Sequence, residues 1–219
     1  MVISVRGIGW LNQEEYGCVR TGTRRSRRDG EPGRELFTYP VKYFGRLDGA
    51  SRMTCYAVAL ALEDAGIGYG QYQKQDIGII GTNATGSLGA DTRYFRDYID
   101  SGRTLSRGNL FIYTLPSSPL GEAAIHFGLQ GPLLYTATHP ASLSAAIDMA
   151  VESICADESP IMLAGTIEER EAVFFVVAKN DDRQYDTLCD VTEATALVNA
   201  SRTLEEMITE LTNAGRGKV

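Results

Sequence analysis

The chain has 219 residues, of which 43% are hydrophobic and 22% are charged, and its formal net charge at pH 7 is −7. This composition is ordinary for a globular protein and long enough for one hydrophobic core, while the acidic balance disfavours nucleic acid as a partner. The sequence has no apolar run of membrane-spanning length and no basic leader with a cleavage site. We therefore expect a cytoplasmic protein that has no membrane segment.

The first predicted elements are a strand and a helix. Val2–Val5 is an apolar run that leads into Gly7-Ile8-Gly9, which predicts a buried strand ending in a glycine turn. Residues 20–36 hold six arginines among glycine and proline, a pattern typical of a mobile loop. Residues 47–64 have apolar side chains at helical spacing, and Ala65-Gly66 supplies the helix stop.

The middle of the chain continues the alternation of strands and helices. A short strand is predicted at 76–80, followed by a glycine-rich turn at 81–89. Helices are predicted at 91–101 and 120–127, and Gly128 closes the second of them. His126 is expected to cap that helix as a cation that meets the negative end of the dipole.

The third part carries an apolar strand at 132–137, a tight turn, and an alanine-rich helix from Ala141 to about Ala156. Strands follow at 161–164 and 172–178, and the short acidic link between them predicts an antiparallel pair with the last strand at a sheet edge. Together the pattern predicts a layered α/β domain with a mainly parallel, five-stranded mixed sheet.

The C-terminal region is predicted to be helical. Thr203-Leu-Glu-Glu206 has the form of a capping box, and Leu204, Met207, Ile208 and Leu211 form an apolar stripe at helical spacing. Such a stripe must be buried against its own domain or against a partner. We divide the chain into an α/β domain at 1–180 and a helical extension at 181–219.

Metal and disulfide chemistry is disfavoured by the cysteine and histidine pattern. The four cysteines form no C-x-x-C pair, and the two histidines, His126 and His139, have no clustered carboxylates near them. We expect reduced thiols, with Cys55 and Cys155 as small core residues within helices. Neither a metal nor a cofactor is expected.

Several of these motifs occur in the same order as in the N-terminal half of the β-ketoacyl-carrier-protein synthases, and the chain resembles that family over residues 1–178. The resemblance implies the thiolase-like fold, as an α/β/α half-domain. The motifs are Gly7-Ile-Gly9, Arg52-Met53 with Leu62-Glu-Asp-Ala-Gly66, Ile77 to Gly81, Pro119 to Pro132, and Gly165 with Glu168.

The resemblance breaks at the catalytic turn. In the family this turn carries a cysteine that accepts the acyl chain as a thiolate, and here the position is Pro140. Proline has no nucleophilic atom, although its fixed φ suits the first helical position. The family's C-terminal half, which brings the histidines that polarise the thioester, has no counterpart in these residues. We expect no condensation and assign no catalytic residue.

Three other interpretations concern residues near or beside this turn. Ser142 or His139 would act in an acyl-thioester hydrolase or transferase, but no G-x-S-x-G elbow surrounds Ser142, and a packing role is favoured. The chain would otherwise be an acyl-chain binding module. The glycine-rich segment 81–89 superficially resembles a phosphate cradle, yet it lacks the P-loop lysine, so a turn that shapes the fold is favoured.

The leading hypothesis is a catalytically inactive partner or scaffold in a fatty-acid or polyketide-type pathway. The family precedent is the chain-length factor, which lacks the nucleophile and pairs with an active ketosynthase. A homodimer, or a heterodimer with a full-length ketosynthase, is expected to form through an exposed edge strand near Tyr135–Ala137. Acidic acyl carrier protein is a further expected partner, and its docking site would be the arginines Arg24, Arg25, Arg27 and Arg28; a solvated loop is the alternative.

Overall fold

The computed structural model describes residues 2–27, 32–104, 107–137, 142–168, 170–180 and 187–216. The strands in these ranges are β1 (Ile3–Leu11), β2 (Glu15–Cys18), β3 (Arg24–Ser26), β4 (Ile77–Asn83), β5 (Leu133–Ala137), β6 (Ile161–Ile167), β7 (Ala172–Lys179) and β8 (Cys189–Asp190). The helices are α1 (Gly49–Asp64), α2 (Leu88–Asp100), α3 (Gly108–Phe111), α4 (Ser118–Phe127), α5 (Leu143–Cys155), α6 (Val191–Ala200) and α7 (Leu204–Arg216). Short 3₁₀ helices lie at Arg34–Leu36, Phe44–Arg46 and Ile112–Thr114.

All eight strands belong to one mixed sheet. Its order is β3-β2-β1-β7-β6-β4-β5, and β8 pairs with β1. β4 runs parallel to β5 and β6, whereas every other described pairing is antiparallel. The layered α/β architecture is confirmed, but the prediction of a mainly parallel sheet of five strands is wrong. The additional strands β2, β3 and β8 all join the β1 side of the sheet and are antiparallel to their neighbours.

Two predicted features of this side change with the structure. The arginine-rich segment was predicted to be a loop, but residues 24–26 form β3 against β2, with Tyr16 opposite Arg25. β7 was predicted at a sheet edge; it is antiparallel to β6 as expected, yet it lies inside the sheet because β1 pairs along its other side from Ile3↔Lys179 to Leu11↔Ala172.

The predicted glycine turn after the first strand is wrong because β1 runs straight through it. A Cβ on Gly9 would collide with the backbone of Ala57 and Ala61 in α1, and Gly7 faces Ala65 in the same way. The two glycines therefore remove side chains where a helix backbone rests on the sheet. A β-bulge between Val5 and Gly7 places both glycines on this helix-covered face.

Helices cover both faces of the sheet, which gives the α/β/α layers. One core holds buried side chains of α1 and α4 against the sheet, and the other holds those of α5, α6 and α7. The predicted α7 stripe is confirmed: Met207, Ile208 and Leu211 are buried against the chain's own sheet. The predicted capping box is formed in part: the Glu206 amide donates to Thr203 Oγ1 at 3.1 Å, but Glu206 Oε2 accepts from the Arg202 amide at 2.8 Å, one residue before Thr203. The division at residue 180 stays a prediction.

Helix ends follow the sequence closely. Asp48 caps α1 by accepting a hydrogen bond from the Ser51 amide at 2.8 Å, and Gly66 adopts φ +69° just beyond its end. Gly128 ends α4 in the same left-handed conformation. Cys55 is buried as predicted, whereas Cys155 is exposed because it lies on the outer side of the last turn of α5. None of the helices in the described ranges has the length and hydropathy needed to cross a bilayer.

Candidate functional site

The candidate site lies at the edge of the sheet where three parallel strands end. β4, β5 and β6 run in the same direction, so Asn83, Ala137 and Ile167 all lie at this edge, and α5 begins beside it at Leu143. The carboxyl ends of parallel strands are where open α/β sheets place their binding residues. The turn at 138–141, which includes the predicted His139 and Pro140, lies outside the described residues.

Asn83 organises the glycine-rich turn after β4. Its Oδ1 accepts hydrogen bonds from the Gly86 amide (2.6 Å), the Thr85 amide (3.2 Å) and the Tyr135 hydroxyl (2.8 Å), and its Nδ2 donates to Gly86 O (3.1 Å). The Ala84 amide donates to Glu168 Oε1 at 3.1 Å. Three consecutive amides are therefore used inside the protein, which supports a turn that shapes the fold over a phosphate cradle.

Two carboxylates bring negative charge to this edge. The Glu168 amide donates to Glu171 O at 2.8 Å, which closes the β6–β7 turn and keeps both side chains on the site. Burial, and then the neighbouring Glu168, raise the pKa of Glu171 above its usual range. The same two causes raise the pKa of Tyr135. A further anion, such as a thiolate or an oxyanion, is disfavoured next to these groups.

Ser142 is the N-cap of α5. It has extended backbone dihedrals, and its Oγ accepts a hydrogen bond from the Ala145 amide at 3.2 Å and lies 3.2 Å from Ser144 Oγ. A hydroxyl that accepts a hydrogen bond from a helix-end amide stabilises the helix. The structure thus gives Ser142 a helix-capping role that the sequence analysis did not predict, and its use in a hydrolase or transferase stays a hypothesis.

His126 lies in an aromatic cluster on the face covered by α1 and α4. Its ring centroid is 4.5 Å from that of Tyr39, 4.7 Å from Phe127 and 5.3 Å from Phe37, and only 8% of the residue is exposed. Burial lowers the pKa of His126 to about 4. The prediction that His126 caps the helix as a cation is wrong. Burying a charged imidazole costs more free energy than its interaction with the helix dipole contributes.

An open cleft of about 510 Å³ lies between the start of α5, the β6–β7 turn and the α6–α7 connection. Its walls mix the carboxylates of Glu168 and Glu171 with hydroxyls and with the apolar side chains of Leu143, Val173 and Met207. This mixed lining gives an acyl chain little continuous apolar surface, so it does not favour an acyl-chain binding module. The described residues contain no group of three or more His, Cys, Asp or Glu side chains placed to hold a metal.

The arginines proposed for carrier-protein docking are divided between two faces. Arg24 stacks over Trp10, with 5.3 Å from its Cζ to the ring centroid, and pairs with Glu15 at 3.6 Å on the α7 side. Arg27 lines a cavity against α1, and Arg25 is exposed. Arg28 lies outside the described residues. Docking through these residues stays a prediction.

Sequence reasoning did not find the pair of Asn83 and Tyr135 or the contribution of Glu171. Asn83 and Tyr135 are separated by 52 positions, and only the parallel pairing of β4 with β5 brings them together. The one available signal for Asn83 was its place at the end of an apolar strand before a glycine-rich segment.

The layered α/β/α fold is thiolase-like, and the comparison with known families agrees. Residues 20–180 match the model of the β-ketoacyl synthase N-terminal domain. The chain therefore belongs to the β-ketoacyl synthase family.

Three relatives illustrate this membership. A putative polyketide β-ketoacyl synthase 1 of Streptomyces virginiae is 29% identical over 188 residues, which are 76% of this chain and 44% of that protein. The ishigamide ketosynthase/chain length factor structure has a TM-score of 0.64 at 16% identity, over 86% of this chain and 65% of its own. The ketosynthase ApeO in complex with its chain length factor ApeC, from Xenorhabdus doucetiae, has a TM-score of 0.54 at 10% identity. That match covers 83% of this chain and 81% of the solved one. The chain thus spans less than half of the curated relative.

Proposed function

We propose that this chain is a non-condensing, chain-length-factor-like partner of a ketosynthase in a polyketide or fatty-acid type pathway. The observation that carries the proposal is Pro140, which stands at the family's cysteine position within the matched range 20–180. A thioester with the protein forms only when a cysteine thiolate attacks the acyl donor, and proline has no sulfur atom to form that bond. The carboxylates of Glu168 and Glu171 beside the start of α5 also oppose a substitute anionic nucleophile there.

The partnership would use the outer edge of β5. β5 is the last strand in the sheet order, and within the described part of the chain no strand pairs with its outer side. Leu133 and Leu134 on this strand are 41% and 42% exposed. An exposed edge with apolar side chains favours pairing with the same edge of another chain. The solved complex of ApeO with ApeC supports a heterodimer, and a homodimer is the alternative arrangement.

The experiment is co-expression of this chain with a ketosynthase from the same source, followed by native mass spectrometry and an acylation assay. We expect a one-to-one complex in which an acyl-carrier-protein donor acylates only the ketosynthase. Leu134→Lys should abolish the complex, because a charge on the paired edge must be desolvated. Val2→Lys, at a residue that is 56% exposed and directly precedes β1, four strands away from β5 in the sheet, is the matched control and should leave the complex intact. An acyl adduct on this chain would overturn the proposal.

A further inference from the structure

A small cavity on the α1 face collects positive charge in this acidic protein. Its volume is about 240 Å³, and the described residues that line it include Arg27, Arg52 and Arg170 together with Gln13 and Tyr56. No carboxylate belongs to this described lining. A concave site with three guanidinium groups concentrates a positive field, because the low-dielectric walls screen it less than water does.

Each arginine comes from a different segment of the chain. The Arg27 amide donates to Glu14 O, and its Nη1 donates to Asn12 O, both at 2.6 Å, which anchors the residue on the β1–β2 connection. Arg52 lies on the first turn of α1, where its amide donates to Asp48 O at 3.0 Å. Arg170 lies in the β6–β7 turn that Glu168 and Glu171 close. The three cations are thus brought together by tertiary structure.

One of these groups lacks an acceptor. Arg52 Nε is buried and has no hydrogen-bond partner among the described residues. A buried charged donor without an acceptor is unfavourable, and an anion in the cavity would supply one. Gly49, the first residue of α1, also lines the cavity, and the space that a Cβ would occupy there is open.

The β6–β7 turn contributes negative charge to the large cleft beside α5 and positive charge to the small cavity beside α1. Glu168 and Glu171 line the large cleft, whereas Arg170 lines the small cavity. An anionic ligand is therefore repelled from the first surface and attracted to the second. The cavity itself is large enough only for a small anionic group, with any larger remainder of the ligand outside it, since cavities that enclose drug-sized molecules start at about 300 Å³.

We propose that this cavity binds a phosphate monoester, held by the guanidinium groups of Arg27, Arg52 and Arg170. A phosphate dianion has three terminal oxygens, which is enough to accept hydrogen bonds from several guanidinium forks at once. A carboxylate, with one charge and two oxygens, would leave part of the cationic lining unsatisfied. The phosphate could come from free inorganic phosphate or from a phosphopantetheine group. The site does not depend on the proposed partnership with a ketosynthase.

The test is isothermal titration calorimetry on the full chain at low ionic strength, with inorganic phosphate, pantetheine 4′-phosphate and pantetheine as separate probes. We expect both phosphates to bind and pantetheine to fail. Tighter binding of pantetheine 4′-phosphate than of inorganic phosphate would assign the phosphopantetheine source, and equal affinities would assign free phosphate. In either case, Arg170→Gln and Arg52→Gln should each weaken binding by about tenfold or more.

Two controls keep this test sharp. Arg170 is exposed, so its replacement leaves the fold intact even if Arg52→Gln lowers the melting temperature. Arg96→Gln removes an equally charged, exposed residue on α2, outside the cavity, and should keep the wild-type affinity. The proposal is overturned if phosphate does not bind, or if Arg170→Gln and Arg96→Gln bind phosphate equally well. Loss of the ketosynthase complex with phosphate binding retained would reject only the proposed function.

Discussion

The Tyr135 hydroxyl donates to Asn83 Oδ1 at 2.8 Å and so ties the edge strand β5 to the turn after β4. This contact fixes one wall of the candidate site through two residues that are far apart in the sequence. Because Asn83 Oδ1 also accepts from two amides, the turn keeps its shape without the tyrosine, and the hydroxyl contributes one neutral hydrogen bond.

Tyr135→Phe is therefore expected to lower the free energy of unfolding by about 1 kcal/mol, the usual net value of one such bond. Urea denaturation followed by circular dichroism measures this difference. Tyr72→Phe, at a highly exposed tyrosine, serves as the control and should leave the midpoint unchanged. Equal midpoints for both variants would show that the hydroxyl of Tyr135 adds nothing to stability.

Gly9→Ala tests the contact between β1 and α1. The added methyl group would collide with backbone atoms of Ala57 and Ala61, which cannot move aside as a flexible side chain can. We expect a loss of at least about 2 kcal/mol in unfolding free energy, measured by thermal or urea denaturation. Gly121→Ala in α4 is the matched control, since a Cβ there meets nothing within 4 Å, and it should be neutral or stabilising.

His126 makes stability depend on pH. Its folded-state pKa of about 4 lies below the ordinary 6.5, so the unfolded chain takes up the proton first as the pH falls. Above pH 6.5 the neutral imidazole makes its full contribution to the free energy of unfolding. As the pH falls from 6.5 to about 4, the free energy of unfolding decreases by about 3 kcal/mol in all. His126→Phe keeps an aromatic ring in the cluster and should flatten the profile in this window. Parallel profiles for the two proteins would contradict the assignment.

Pro140→Cys is expected not to restore condensation in this 219-residue polypeptide. The new thiol would have no imidazole from His126, which is buried in the aromatic cluster, and Glu168 and Glu171 disfavour further negative charge beside the start of α5. Intact-protein mass spectrometry with an acyl-carrier-protein donor, combined with product chromatography, separates acylation from condensation. A condensation product without a partner chain would refute the proposed role, and the unmodified protein is the blank.

The sequence predicted best those features that short-range patterns control. The ends of α1 and α4 follow from Gly66 and Gly128, and the α7 stripe follows from its spacing. The predicted first strand was too short because Gly7 and Gly9 indicate a turn locally. In the structure these glycines contact a helix about 50 residues away in the sequence. Likewise, residues 24–26 of the arginine-rich segment form β3 only because β2 offers backbone hydrogen bonds to them.

The candidate site was predicted in part for the same reason. The helix that follows the turn was predicted from its alanine-rich pattern, and it begins at Leu143 with Ser142 as its N-cap, where the prediction had placed Ser142 inside the helix. The environment of His126 was not predicted, since the charge state of a helix-end histidine is decided by the rings that surround it, and Phe37, Tyr39 and Tyr69 come from two other segments. The arginine cavity was missed because Arg52 and Arg170 share no sequence pattern with Arg27.

The pairing of β1 with β7 has a consequence for how the chain is made. During synthesis β1 can form a hairpin with β2 at once, but its other neighbour is complete only when Lys179, the partner of Ile3, has been added. Contacts of such long sequence separation slow folding and leave an apolar strand edge open meanwhile. β1, which comes before its pairing partners β2 and β7 in the chain, is thus among the last strands to be enclosed on both sides.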